Sequence, residues 1–264
     1  MPKAIYHNLA NFFEKNFLIL PTILVLYWAC FQFYTSSETK SIYGNVFGIL
    51  IAIVALIASL FSFIRSLQWE FFESYLGKSL FFISLALLAW SLGQTLFLMD
   101  SFKFNTPINY DNIFVFIDPL YLIGIYFISK SLSTFKNFIS NFKLIVIPIF
   151  IFLINIFFVS QIRNEQIINS LSNIDFKLLF IFGSILLSSF VISILVISGK
   201  KIGGKFKSAL YFILIGLLLQ YLADNLFEVF PSFQTNGSLS DLIFMMSILA
   251  IFYGTIQFNP RSLK

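Results

Sequence analysis

The chain has 264 residues, 58% of them hydrophobic and only 11% charged, with a formal net charge of +5, and its mean hydropathy is +0.89. Soluble domains carry about a quarter charged residues, and a soluble fold built from this composition would expose large apolar patches. The composition excludes a water-soluble domain or a nucleic-acid partner and implies an all-α polytopic bundle in a bilayer, because hydrocarbon offers unpaired backbone groups no partner. A barrel would need strands of alternating polarity, and the apolar runs here are unbroken.

Residues 4–16 come first. Ile5, Leu9, Phe12 and Phe13 recur at helical spacing opposite Lys3, His7, Glu14 and Lys15, which predicts an amphipathic helix lying on the inner leaflet. Eight apolar segments follow, at 17–34, 43–65, 78–99, 111–130, 143–160, 177–198, 208–230 and 241–258, each close to the ~20 residues that cross the hydrocarbon. The first has no small-residue cleavage site, so a cleavable signal is not expected. Between the second and third, Trp69, Phe72 and Leu76 predict another interfacial helix. Asp118-Pro119 interrupts the fourth segment and Pro148 lies early in the fifth. After the sixth, glycines alternate with Lys200, Lys201, Lys205 and Lys207, a basic stretch expected to meet anionic lipid headgroups. Its glycine spacing is not that of a phosphate loop. Asn236-Gly237-Ser238, before the last segment, is a formal glycosylation sequon.

Charge orients these segments. With both termini cytoplasmic, the inner side holds Lys3, Lys15, Arg65, Lys78, Lys130, Lys136, Lys143, Lys200, Lys201, Lys205, Lys207, Arg261 and Lys264, against Lys40, Lys103, Arg163 and Lys177 outside. Thirteen against four satisfies the positive-inside rule for eight spans in the cell membrane, and an odd number would break the alternation.

The chain also aligns with itself. A shift of 130 residues lays Leu80-Phe81-Phe82-Ile83 on Leu210-Tyr211-Phe212-Ile213, Leu87-Leu88 on Leu217-Leu218, Asp111-x-Ile113-Phe114 on Asp241-x-Ile243-Phe244, and Gly124 on Gly254. This predicts one membrane domain over 1–264 made of tandem four-span halves, 1–135 and 136–264, related by an axis along the membrane normal. Small residues at four-residue spacing mark packing faces at Gly44, Gly48 and Ala52, at Ala89 and Gly93, and at Ser184 and Ser188.

Ionisable side chains at membrane depth are costly and point to function. Counting 1.5 Å per residue from the outer ends places Gln94, Asp118, Asn155 and Asp224 roughly 7–11 Å below the outer surface. Glu228 follows Asp224 by one turn on the same helix face. These residues predict an outward-opening polar site for a small ligand, ion or proton; the competing reading is that they hydrogen-bond helices together. One Cys and one His supply neither a zinc site nor paired haem ligands. No metal, cofactor, catalytic residue or nucleophile elbow is expected, and the chain is read as a non-enzyme.

Leu87-Leu88-Ala89-Trp90-Ser91-Leu92-Gly93-Gln94, then Asp111-Asn112-Ile113-Phe114, then Leu122-Ile123-Gly124, with a second copy running from Leu217 to Asp224 and from Asp241 to Gly254, resembles the multi-span sensory regions at the front of some prokaryotic histidine kinases and diguanylate cyclases. The likeness covers about half the chain. It implies a sensor-like module, and in such regions an acid often stands at the place of Gln94, as Asp224 does here. Those proteins continue into a cytoplasmic kinase or cyclase domain, whereas this sequence ends at Lys264, so the resemblance implies a signal passed to a separate protein partner or through a homo-oligomer. A small transporter or channel, and an accessory subunit of a membrane complex, are the competing expectations.

Overall fold

The computed structural model describes residues 19–34, 37–102, 110–131, 142–162, 176–198, 206–230, 232 and 235–260, and no strand occurs among them. In chain order the helices are α1 (Ile19–Tyr34), α2 (Ser37–Gln68), α3 (Tyr75–Ser101), α4 (Asp111–Phe114), α5 (Ile117–Ser131), α6 (Phe142–Ile162), α7 (Phe176–Ser198), α8 (Lys207–Val229) and α9 (Leu239–Gln257). Five stretches are long and apolar enough to cross a bilayer: Thr39–Gln68, Tyr75–Ser101, Asn112–Ser131, Lys207–Val229 and Leu239–Gln257. Shorter apolar helices accompany them at Ile19–Phe33, Ile149–Gln161 and Phe180–Val196. These are the helices of an integral, multi-pass membrane protein. The amphipathic segment 4–16 and Lys200, Lys201 and Lys205 lie outside the described residues.

Each helix follows from its local sequence. α3 begins at Ser74, whose extended backbone and hydroxyl cap the helix by accepting the Gly77 N–H at 2.9 Å. The interruption at Asp118-Pro119 is resolved by a break one step earlier: α4 stops at Phe114 and α5 restarts at Ile117. Pro119 thus falls in the first turn of α5, where its missing N–H leaves no helix bond unmade. Residues 69–74 depart from expectation. They form turns rather than an interfacial helix, with Glu70 at φ 60° and Phe71 at φ 42°, and Leu76 is buried in α3.

The core runs between α2, α3, α8 and α9, with α9 the most enclosed of the five long spans. Side chains on the outside are apolar, among them Leu60, Phe157, Leu186 and Leu222, as lipid contact demands. The small-residue face of α2 is a docking surface within the chain. Gly44 abuts the backbone of Asn236 and Gly237, Gly48 faces Gln94 and Leu98, and the Ala52 carbonyl accepts the Ser91 hydroxyl at 2.8 Å. Two glycines make the same contact twice. A Cβ on Gly124 would stand 3.3 Å from the Ser79 carbonyl oxygen and 3.5 Å from the Ile83 nitrogen. One on Gly254 would stand 2.6 Å from the Ala209 carbonyl oxygen and 3.0 Å from the Ile213 nitrogen. α2 packs on α9, and α7 packs on α5.

Both ends of the bundle are tied. At one end Trp28 Nε1 donates to the Gly237 carbonyl at 3.0 Å, and the Asp241 carboxylate accepts the Gly237 N–H at 2.6 Å. At the other, Trp69 Nε1 donates to the Phe258 carbonyl at 2.9 Å while the Phe206 ring packs on both side chains. Arg65, read from sequence as a loop cation, belongs to the last turn of α2 and is only 3% exposed. Its guanidinium donates to the Ile256 carbonyl at 2.9 Å and to Gln68 at 2.8 Å, placing a cation on the carbonyl-rich end of α9.

Gly254→Ala is expected to destabilise the protein by about 1–3 kcal/mol through overpacking against backbone, and Gly124→Ala by distinctly less. Equilibrium unfolding in mixed micelles measures both.

Candidate functional site

The polar residues placed at one depth by counting are divided by the structure into separate groups. Asp118 stands in the first turn of α5, 2% exposed, where the positive end of the helix dipole favours a carboxylate. Gly183 of α7 makes room for it: a Cβ there would lie 3.2 Å from Asp118 Cβ. One turn along α5, Tyr121 is fully buried, and the carboxylates of both Asp118 and Asp224 act electrostatically on its hydroxyl. Asp224 comes from α8 and is 8% exposed. Gln220, 3% exposed, precedes it by one turn on the same face. Two predicted residues, Asp118 and Asp224, therefore both act on Tyr121, on helices that each pack against α7.

The other predicted residues are engaged elsewhere. Gln94 is 5% exposed, and its Nε2 would lie 3.3 Å from a Cβ on Gly48, which would also meet Leu98 Cδ2 at 2.8 Å and Asn236 Oδ1 at 3.5 Å. Asn155 donates to Ser189 at 2.8 Å and to Ser188 at 3.2 Å, tying α6 to α7, which is the packing role. Glu228 is half-buried, one turn nearer the end of α8. Lys207, the one described lysine of the basic stretch, is exposed beside the Tyr211 ring, 5.8 Å from its centroid. The sequon residue Asn236 spends its amide nitrogen inside the bundle, donating to Asn45 at 2.7 Å and Ser101 at 3.1 Å.

Among the described residues, Tyr121 Oη, Gln220 Oε1, Gln94 Nε2 and Asn236 Oδ1 are buried polar atoms without a hydrogen-bond partner. Burying such an atom costs roughly 1–3 kcal/mol, and native proteins contain few. The buried polar side chains of α5 and α8 are rich in acceptors: the Asp118 and Asp224 carboxylates both act on the Tyr121 phenol, and α8 adds the unpartnered Gln220 carbonyl. Their chemistry suits a species that donates hydrogen bonds or carries positive charge. No group of three or more His, Cys, Asp or Glu side chains able to hold a metal ion occurs among the described residues. Tyr121 and Gln220 were not singled out as site residues from sequence, although Tyr121 follows Asp118 by three residues and so shares its helix face.

Comparison with protein-family models, with curated proteins and with solved structures finds no match.

Tyr121→Phe is expected to leave the unfolding temperature of the ligand-free protein unchanged or slightly raised, because it removes an unpartnered buried hydroxyl. Asn155→Leu, which breaks bonds that are made, is expected to cost about 0.6–1.7 kcal/mol. A thermal unfolding series in detergent separates the two.

Proposed function

We propose that the chain is a sensor- or receptor-like module of the cell membrane, whose Asp118–Tyr121–Asp224–Gln220 cluster takes a small cationic or proton-donating species from the outer side. In this reading eight helices span the membrane as tandem four-helix halves, both termini are cytoplasmic, and the response passes to a protein partner.

Several observations support the repeat. Gly124 against Ser79 and Ile83, and Gly254 against Ala209 and Ile213, are one contact with every number raised by 130. The cross-contacts agree: under the same shift α2 corresponds to α7 and α9 to α5, and the structure contains both α2 on α9 and α7 on α5. A pseudo-twofold axis requires that reciprocity.

The repeat turns the cluster into an internal comparison, and this is the observation that carries the proposal. The counterparts of Asp118 and Tyr121 are Ile248 and Ile251, and those of Gln220 and Asp224 are Trp90 and Gln94. Trp90 packs on Phe244 of α9 at 5.3 Å, and Ile248, Ile251 and Trp90 are all buried. The same meeting of helices is therefore closed once with a largely apolar core and once with two acids, an amide and a phenol. Architecture alone does not call for the polar version, which is the costlier one in hydrocarbon. A transporter is disfavoured because the buried face of α8 beyond Gln220, formed by Leu217, Leu214, Ile213 and Leu210, is apolar.

Thermal unfolding of the detergent-purified protein across pH and a panel of monovalent, divalent and organic ammonium cations tests this. A species that binds only the folded state is expected to add about 2.7 kcal/mol at a hundred times its dissociation constant, and Asp118→Asn, Asp224→Asn and Tyr121→Phe are each expected to abolish the gain. A response that survives all three substitutions would place the binding elsewhere. No response to any cation or pH step would assign the acids to packing.

A further inference from the structure

The end of the bundle that carries Arg65 holds a second, unrelated arrangement. Lys78 lies in the first turn of α3 and Lys130 in the last turn of α5, and both ammonium groups converge on one ring. Lys130 Nζ is 4.6 Å and Lys78 Nζ 5.6 Å from the Tyr75 centroid. Lys130 also reaches to 5.9 Å from the Tyr126 ring, and Lys78 to 5.8 Å from the Phe127 ring. Neither lysine has a carboxylate partner among the described residues. The Tyr75 and Tyr126 hydroxyls are the side-chain hydrogen-bond partners of Lys130, and cation–π attraction at an exposed site is weak.

The surface beside them is an aromatic shelf. Tyr75 stacks on Phe127 at 6.3 Å, Phe127 on Phe82 at 5.9 Å, and Phe82 meets Phe81 at 5.5 Å. Phe71 and Phe72 complete it, 4.8 and 5.2 Å from Phe81. They reach that position through the left-handed backbone of Glu70 and Phe71, a conformation that residues with a side chain rarely adopt. The Ser74 hydroxyl, bonded to the Trp69 carbonyl, and the close approach of Gly77 to the Trp69 and Phe71 carbonyls hold the turn. Phe72 and Tyr75 are 52% and 42% exposed, so the shelf faces outward at the level where tyrosine and lysine meet lipid headgroups.

We propose that Lys78, Lys130 and Tyr75 form a discrete binding site for the phosphodiester headgroup of an anionic phospholipid, with its acyl chains along Phe127, Phe82, Phe81 and Phe72. A phosphate at the two ammonium groups supplies the charged acceptor that the described residues do not offer them, and the shelf provides the apolar contact that a soluble anion cannot use. The site is separate from the basic stretch Lys200–Lys207 and independent of the Asp118–Asp224 cluster, needing only that the chain be integral to a membrane.

The test is thermal unfolding of the full chain in a neutral detergent with added phosphatidylglycerol, phosphatidylcholine or inorganic phosphate. Phosphatidylglycerol is expected to raise the unfolding temperature more than phosphatidylcholine does, and phosphate alone to leave it unchanged. The Lys78→Gln/Lys130→Gln pair is expected to lose most of the phosphatidylglycerol-specific shift, Lys78→Arg/Lys130→Arg to keep it, and Lys200→Gln/Lys201→Gln to keep it as well. Each single glutamine variant, which removes only one charge, is expected to lose part of it, so the result does not depend on the pair folding normally. A full shift in the glutamine variants, equal shifts with the two lipids, or an equal shift with inorganic phosphate would each overturn the assignment.

Discussion

Inside hydrocarbon a polar atom must find its partner within the protein, and much of this structure is an answer to that requirement. The serines show the solution in its simplest form. Ser59 and Ser84 donate to each other's backbone carbonyls at 2.8 and 2.9 Å, clasping α2 to α3, and Ser91 adds a third bond to the Ala52 carbonyl. Ser184 and Ser188 turn their hydroxyls back onto their own helix, at Ile181 and Ile185, a common resolution for serine within a helix. Even the Arg65 guanidinium is placed on a backbone carbonyl. The economy is incomplete: among the described residues the Ser62, Ser79 and Ser247 hydroxyls, Tyr121 Oη and Gln220 Oε1 are buried without a hydrogen-bond partner.

Close approach of backbones follows from the same constraint. Lipid tails are as apolar as leucine, so helices gain nothing by merely hiding hydrocarbon from hydrocarbon, and contact must come from packing and interhelical hydrogen bonds. Glycine admits both. At Gly254 the neighbouring carbonyl and amide of α8 stand where any Cβ would go, and at Gly44 the same is true of the loop before α9. Gly237, at φ 81°, completes the tie to α1 and α9 at its end of the bundle: its carbonyl accepts from Trp28 and Gln32, and its N–H donates to Asp241. Only a residue without a side chain can hold that left-handed turn against Gly44 and Phe31 at no steric cost.

What sequence could reveal depended on whether the signal was periodic or relational. Apolar runs repeat with every turn, so the segments drawn by counting fall largely on helix among the described residues, with five stretches long and apolar enough to cross a bilayer, and the small-residue face of α2 is the face that packs. Depth counting placed Asp118, Asp224, Gln94 and Asn155 at one level. It carried no azimuth, and so could not distinguish Asp118 and Asp224, which share Tyr121, from Asn155, which turns to Ser188 and Ser189. The turn at 69–74 was misjudged for a different reason. Trp69, Phe72 and Leu76 have helical spacing, but the Ser74 cap and the close approach at Gly77 require α3 to start afresh there. Local hydrogen bonding overrode the pattern, as it often does where serine and glycine lie together.

The buried acids of α5 and α8 are costly to the fold. A buried charged group is commonly less stabilising than a well-packed apolar one of similar volume, and the chain contains the apolar alternative in Ile248, Ile251 and Trp90 at the equivalent junction of α9 with α3. The frame around the polar version nevertheless eases its placement. Gly183 gives up its side chain beside Asp118, and Pro119 fits the first turn of α5, which aims the helix N-terminus at the acid. These features lower the cost of holding an acid at one point without supplying a hydrogen-bond partner for Tyr121. In the receptor reading proposed above, this is the frame of a preorganised site: the carboxylates are accommodated, and the buried Tyr121 hydroxyl is left for the bound species to satisfy.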